Sequence, residues 1–179
     1  MIVIGVTTPM TTQRELSRQR IRIAVHEALV VLLALPPEAI QLLSVPGQPP
    51  QIKLPAFPAQ RICLSISHEP GLTLAAICLR GAIGIDLMRS EDHPDSQQDW
   101  QAVVRDYLGA QACARINGNP PAVRPLAFAQ EWTRLEAVLK CHGQALTEWN
   151  PELEHRMLRC HMSELDLPAG LVGTVATHR

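Results

Sequence analysis

The stretch GAIGIDLMRSED, residues Gly81 to Asp92, runs an apolar segment of strand type straight into an aspartate and then into charge. Side chains alternate across a strand, so Ile83, Ile85 and Leu87 share one face and Gly84, Asp86 and Met88 the other. Asp86 is then the one charge on a strand with apolar neighbours. A partly buried carboxylate needs a hydrogen-bond donor, a partner charge or a metal. Two readings stand at this point: a strand-end aspartate capping a turn, or a residue placed to hold something.

Two further strand-like runs precede it. RICLSIS (61–67) and LTLAAICL (72–79) are parted by Pro70-Gly71, and Arg80-Gly81 leads into AIGIDLM. The three read as strands of one sheet, the first two as a hairpin. Upstream, MIVIGV reads as a short strand. Residues 11–35 read as a long helix, with Thr11 or Thr12 and Glu15 as start signals and Pro36-Pro37 as the stop. AIQLLSV (39–45) is a further strand. PGQPPQIKLPAFPAQ (46–60) reads as a proline-rich connection that crosses the surface without forming an element.

After Met88 the pattern changes. SEDHPDSQQD (90–99) is a polar loop with a helix start near its end. WQAVVRDYLGAQACARI (100–116) is helical with a break near Gly109. LAFAQEWTRLEAVLKCHG (126–143) is the strongest helix in the chain. Phe128, Trp132, Leu135 and Leu139 make one apolar stripe, and Gly143 is a C-terminal stop. EHRMLRCHMSEL (154–165) and GLVGTVAT (170–177) read as closing strands. The expected architecture is α+β: two lobes, residues 1–88 and 89–179, each a helix packed on a small antiparallel sheet.

Composition limits the partners. The chain has 179 residues, a formal net charge of −1 and 3% aromatic residues. No global field recruits nucleic acid, and there is no base-stacking platform. No apolar run reaches the ~18 residues of a membrane span, and the N-terminus lacks a basic leader. A cytoplasmic protein is expected, with its five cysteines reduced. Cys141-His142 and Cys160-His161 repeat a dipeptide, but their spacing fits no common zinc pattern.

Three places hold candidate chemistry. Trp132, Glu136 and Lys140 follow at i, i+4 and i+8. Glu136 and Lys140 form either an exposed ion pair worth ~0.2–0.5 kcal/mol or the lining of a pocket. Ser67 and His68 end a strand, where ligand contacts are common but a lone histidine is more often structural. Arg14, Arg18, Arg20 and Arg22 crowd the first half of the long helix, as a solvated face or as a phosphate grip. G-x-S-x-G, the Walker A loop and G-x-G-x-x-G are absent.

Taken in order, Ser67-His68, Gly84-Ile85-Asp86, and Trp132, Glu136, Ala137 and Lys140 resemble the 4′-phosphopantetheinyl transferases. The likeness is to the longer, pseudo-dimeric type that serves carrier proteins of fatty acid, polyketide and nonribosomal peptide synthesis. It implies two similar lobes related by a pseudo-twofold, acting as a monomer. It implies transfer of the phosphopantetheine arm of coenzyme A to a serine of an apo acyl or peptidyl carrier protein, releasing adenosine 3′,5′-bisphosphate. Mg²⁺ is the expected ion, a hard cation that binds carboxylates and phosphates. On this resemblance Asp86 and Glu136 match the metal ligands, and Glu136 can also accept the serine proton. Lys140 matches the pyrophosphate contact. Ser67 and His68 match contacts to coenzyme A phosphates, and Arg18 or Arg22 of the long helix could meet the 3′-phosphate.

Three departures weaken the charge of the expected pocket. Met88 stands where the family often carries a second acid. Leu135 replaces the lysine of K-E-A, and the neighbouring Arg134 points about 100° away around the helix. Gly47-Gln48-Pro49 replaces G-K-P. The alternative they support is a catalytically weakened module of the same fold that binds coenzyme A or a carrier protein. An unrelated α+β interaction domain, with Asp86 and Glu136 structural, is the third reading.

Overall fold

A computed structural model describes residues 1–10, 13–45, 48–91 and 100–178. Thr11, Thr12, Gly47 and most of the 90–99 loop, all singled out above, lie outside the described residues. The fold is α+β, with two antiparallel sheets.

The first sheet is built on a buried hairpin. β4 (Cys63–Glu69) and β5 (Leu72–Cys78) pair antiparallel across Gly71, whose φ of 88° suits a residue without a Cβ. β1 (Ile2–Thr7) pairs with the other edge of β5, while β3 (Gln51–Lys53) and β2 (Gln41–Leu43) extend the β4 side, giving the order β1-β5-β4-β3-β2. Against one face lies α1 (Arg14–Leu33), described from Gln13 at its N-cap. Its Ile21, Val25 and Leu29, spaced by four, bury completely against Leu64, Ala75 and Ile77. The stop falls before Pro36-Pro37, with Ala34 in the left-handed conformation.

The second sheet has the order β6-β8-β7, formed by β6 (Ala82–Arg89), β7 (His161–Glu164) and β8 (Leu171–His178). This corrects the expectation that β6 shares a sheet with the hairpin. By hydrogen bonding, the strand that carries Asp86 goes with the C-terminal residues, not with the first lobe to which the sequence reading assigned it. The predicted alternation holds. Ile83, Ile85 and Leu87 pack on Leu72, Leu74, Ala76 and Cys78 of β5, which makes the seam between the sheets. Gly84 and Asp86 face the other way, towards α4 (Arg124–Cys141).

The edge of β6 that does not face β8 meets β4 through side chains. The Ile85 N–H donates to Ser65 Oγ at 3.1 Å and the Leu87 N–H to Ser67 Oγ at 3.2 Å. Two serine hydroxyls spaced by two therefore satisfy buried backbone donors that would otherwise be orphaned.

Helices cover the remaining face. α2 (Trp100–Val103) runs through a π-helical turn at residues 104–108 into α3 (Gly109–Asn117). The break falls at Gly109, φ 77°, where an added Cβ would lie 2.4 Å from the Trp149 ring. Phe128, Leu135 and Leu139 of α4 join Val104, Leu108 and Ile116 in one core, with Trp132 packed against it. Gly143, φ 64°, follows the end of α4.

Two local readings are corrected. Residues 154–159 are not strand but part of α5 (Pro151–Arg159), and β7 starts only at His161. The Asn150 side chain accepts the Leu153 N–H and Pro151 occupies the first turn, so a capped helix wins over the apolar pair Met157-Leu158. The proline-rich connection also contains β3, whose Gln51, Ile52 and Lys53 pair with Leu43, Leu42 and Gln41. All five cysteines are free thiols. Among the described residues no helix is long and apolar enough to cross a membrane.

Candidate active site

A cleft of about 950 Å³ is lined by residues of both sheets and of the helices α1 and α4. Each sequence candidate lines it: Arg18 and Arg22 from α1, Ser67 and His68 from β4, Asp86 from β6, and Glu136 and Lys140 from α4. The positions follow from local geometry. Trp132, Glu136 and Lys140 repeat at one helical turn and so share one face of α4. Arg14, Arg18 and Arg22 do the same on α1, and all three line the cleft. Arg20, off that face, does not line it and is exposed.

At the centre is Asp86, 7% exposed. Lys140 Nζ donates to its Oδ1 at 2.6 Å, and the Ser67 hydroxyl donates to the same oxygen at 3.0 Å. Lys140 Nζ also lies 3.4 Å from Ser67 Oγ. The three side chains come from three elements and close one charge-assisted cluster. Ser67 is itself only 6% exposed, and its oxygen already accepts the Leu87 N–H. Its hydroxyl is thus committed to the strand and to Asp86.

Glu136 sits one turn before Lys140 on the same wall. Burial raises its pKa first, and the Asp86 charge raises it further, while Lys140 pulls it back. Two carboxylates that repel one another beside a single ammonium are a cation-seeking arrangement. Two oxygen donors fit Mg²⁺, which commonly takes one or two carboxylates and completes its shell with water and substrate phosphates. Among the described residues no group of three or more His, Cys, Asp or Glu side chains is disposed around one metal position, so any ion rests on few protein ligands.

The cleft also carries the guanidinium groups of Arg14, Arg18 and Arg22, with His68 among its lining residues. His68 Nδ1 shares a hydrogen bond of 3.0 Å with Thr73 Oγ1. Burial and then the charges of Arg14, Arg18 and Lys140 lower its pKa to about 4, so the ring is neutral at physiological pH. Arg22 is held to the sheet instead: its guanidinium donates to Ser44 Oγ and, at 2.7 Å, to the Leu42 carbonyl. Arg18 lies 3.7 Å from Glu15, a solvent-exposed contact that leaves it available.

The three departures are placed as well. Met88 lines the cleft beside Asp86 and packs on the Phe128–Leu135 core. Leu135 is fully buried, so no side chain at that position faces the cleft. Arg134 turns away to Glu164, at 2.8 Å, and to Glu131. Gln48 lines the cleft. Sequence reasoning missed the role of Ser65 in holding β6 and left Arg14 out of the site. In both cases the signal was present, as serines spaced by two on β4 and as arginines spaced by four on α1.

α4 is held in register by buried contacts of its own. Thr133 and Thr174 share a hydrogen bond of 3.0 Å, and Thr174 is the β8 partner of Asp86. Residues 82–167 match the model of the 4′-phosphopantetheinyl transferase superfamily. No curated protein matches the chain. The matched segment starts at the first residue of β6 and includes Asp86, Glu136 and Lys140, but not Ser67, His68 or the α1 arginines. Over residues 82–167, just under half of its length, the chain is similar to the 4′-phosphopantetheinyl transferase superfamily.

Proposed function

We propose that this protein transfers the 4′-phosphopantetheine arm of coenzyme A to a serine of an apo acyl or peptidyl carrier protein. The observation that carries the reading is the convergence of Asp86, Glu136 and Lys140 with His68 and the α1 arginines on one cleft. That cleft combines paired carboxylates with several cationic side chains, which suits a substrate carrying both a pyrophosphate and a separate phosphate.

In the proposed reaction the serine oxygen of the carrier attacks the phosphorus that bears the pantetheine arm. The P–O bond to the adenosine portion breaks, and adenosine 3′,5′-bisphosphate leaves. The serine proton passes to Glu136, directly or through a water. Its raised pKa suits a group that must accept a proton. Lys140 stabilises the leaving phosphate, while Arg18 and His68 hold the phosphate remote from the reacting bond. Asp86 and Glu136 would hold Mg²⁺, which supplies charge neutralisation at the pyrophosphate when bound. A pseudo-twofold between the units, action as a monomer and a cytoplasmic location belong to the same proposal.

The test is direct. The protein is incubated with coenzyme A, Mg²⁺ and a panel of apo carrier proteins, and the carriers are weighed by mass spectrometry. A phosphopantetheine mass gain is expected, lowered at least about 100-fold in rate by Asp86→Ala or Glu136→Ala. Coenzyme A binding without any mass gain would favour the weakened module, for which Met88, Leu135 and Gln48 argue.

A further inference from the structure

Asp86 carries two donors on one oxygen in the ligand-free protein, and one of them is the lysine expected to serve the substrate. That double duty has a consequence. Lys140 Nζ cannot keep a 2.6 Å bond to Asp86 and also follow a phosphate group across the cleft. A cation drawn to Asp86 competes with the same ammonium for Oδ1 and is opposed by its charge at the other carboxylate oxygen. Lys140 is free to move: its side chain is 31% exposed and lies in the cleft wall, on a flexible four-carbon stem. Ser67 is not free, because its oxygen is fixed by the Leu87 N–H.

We propose that Lys140 acts as a built-in competitor for the divalent cation and so couples cation binding to binding of the pyrophosphate group. This rests on the reading of Asp86 and Glu136 as cation ligands. In the ligand-free protein one ammonium serves two carboxylates, leaving one net negative charge. A divalent ion at the carboxylates loosens the ammonium, and with both cations in the cleft the balance turns positive. The loosened Lys140 and the ion together then favour an anion. Either ligand therefore strengthens the other by the same factor, as linkage requires. Lys140 thereby withholds the carboxylates from a lone cation and yields them to the cation–pyrophosphate pair.

The probe is Mn²⁺, which takes the same oxygen ligands as Mg²⁺ and whose free form is counted by electron paramagnetic resonance. Titrations at pH 8 on the full chain, without coenzyme A, compare wild type with Lys140→Met and Lys140→Gln. Both variants are expected to bind Mn²⁺ about fivefold or more tightly than wild type, the size of an ordinary coupling term. In wild type, coenzyme A is expected to tighten Mn²⁺ binding, and in either variant to tighten it less. Using two variants guards against one that does not fold, which circular dichroism reports. Mn²⁺ binding to folded variants no tighter than to wild type overturns the proposal. It would then make Lys140 a strut between α4 and β6. Failure of the transferase reading shows differently, as no mass gain on any carrier while this order of Mn²⁺ affinities still holds.

Discussion

Gly84→Ala is the most informative single perturbation of this structure. A Cβ built on Gly84 would lie 1.9 Å from the Ala137 carbonyl oxygen and 2.4 Å from the Cys141 nitrogen. Both are backbone atoms of α4, so no side chain can rotate away. Reaching even a 3.0 Å contact requires β6 and α4 to part by about 1 Å, and overpacking of this kind costs typically about 1–3 kcal/mol, occasionally more. With backbone on both sides, we expect the upper end, about 3 kcal/mol, which for a chain of this size lowers Tm by about 6–12 °C. The same displacement separates Asp86 on β6 from Glu136 and Lys140 on α4, and a 1 Å misplacement of reacting groups can cost about 100-fold in rate. Urea unfolding measures the first effect and carrier-protein mass gain the second. Gly173→Ala is the control. Its Cβ would meet the Leu167 and Leu165 side-chain tips at 2.8 and 3.2 Å, which can shift, and the Asp86 backbone carbonyl oxygen at 3.2 Å, so a smaller loss of stability is expected. A Gly84→Ala protein within about 0.5 kcal/mol of wild type, the range of ordinary surface changes, would refute the claim that backbone contact between β6 and α4 builds the site.

Three further expectations follow from charge. His68 has its pKa lowered from 6.5 to about 4, so between those values the unfolded chain binds a proton that the folded chain refuses. Its contribution to stability therefore falls as pH drops through that window. His68→Gln should flatten the pH dependence of Tm between pH 4 and 6.5, and an unchanged profile would remove His68 as a source. Burial depresses His68 first and the charges of Arg14, Arg18 and Lys140 second, and a polyanion beside Arg14 and Arg18 offsets the second cause. Coenzyme A should then bind with proton uptake at low pH, seen by calorimetry in buffers of different ionisation enthalpy. Away from the cleft, Glu131 is buried and accepts two bonds from Arg115, at 2.6 and 2.9 Å. Glu131→Ala should cost about 1.5–3 kcal/mol in urea unfolding, and a neutral result would mean that the pair is only a surface contact.

Much of the architecture was legible because it depends on local rules. The α4 stripe, the β4–β5 hairpin and the break at Gly109 each follow from helical spacing or turn chemistry. Residues 154–159 read as strand, whereas the cap that starts α5, Asn150-Pro151, lies before that stretch. β3 was hidden because a three-residue strand in a proline-rich stretch is too short to show a period.

By itself, the sequence determined which side chains share a face. Glu136 and Lys140 repeat with the helix, Arg14 and Arg18 likewise, and Asp86 opposes Ile85 across a strand. Those are consequences of fixed backbone periods, and they hold whatever the partners. Only the tertiary structure decided what those faces meet. Period two places β6 residues on two sides but does not choose the neighbouring strand, because many apolar strands offer an equivalent face. The choice rests on β8 along one edge and on the Ser65 and Ser67 hydroxyls along the other. It rests equally on Gly84, whose missing side chain lets α4 approach until Lys140 reaches Asp86. Contact between residues 54 positions apart is a property of packing, and no local pattern encodes it.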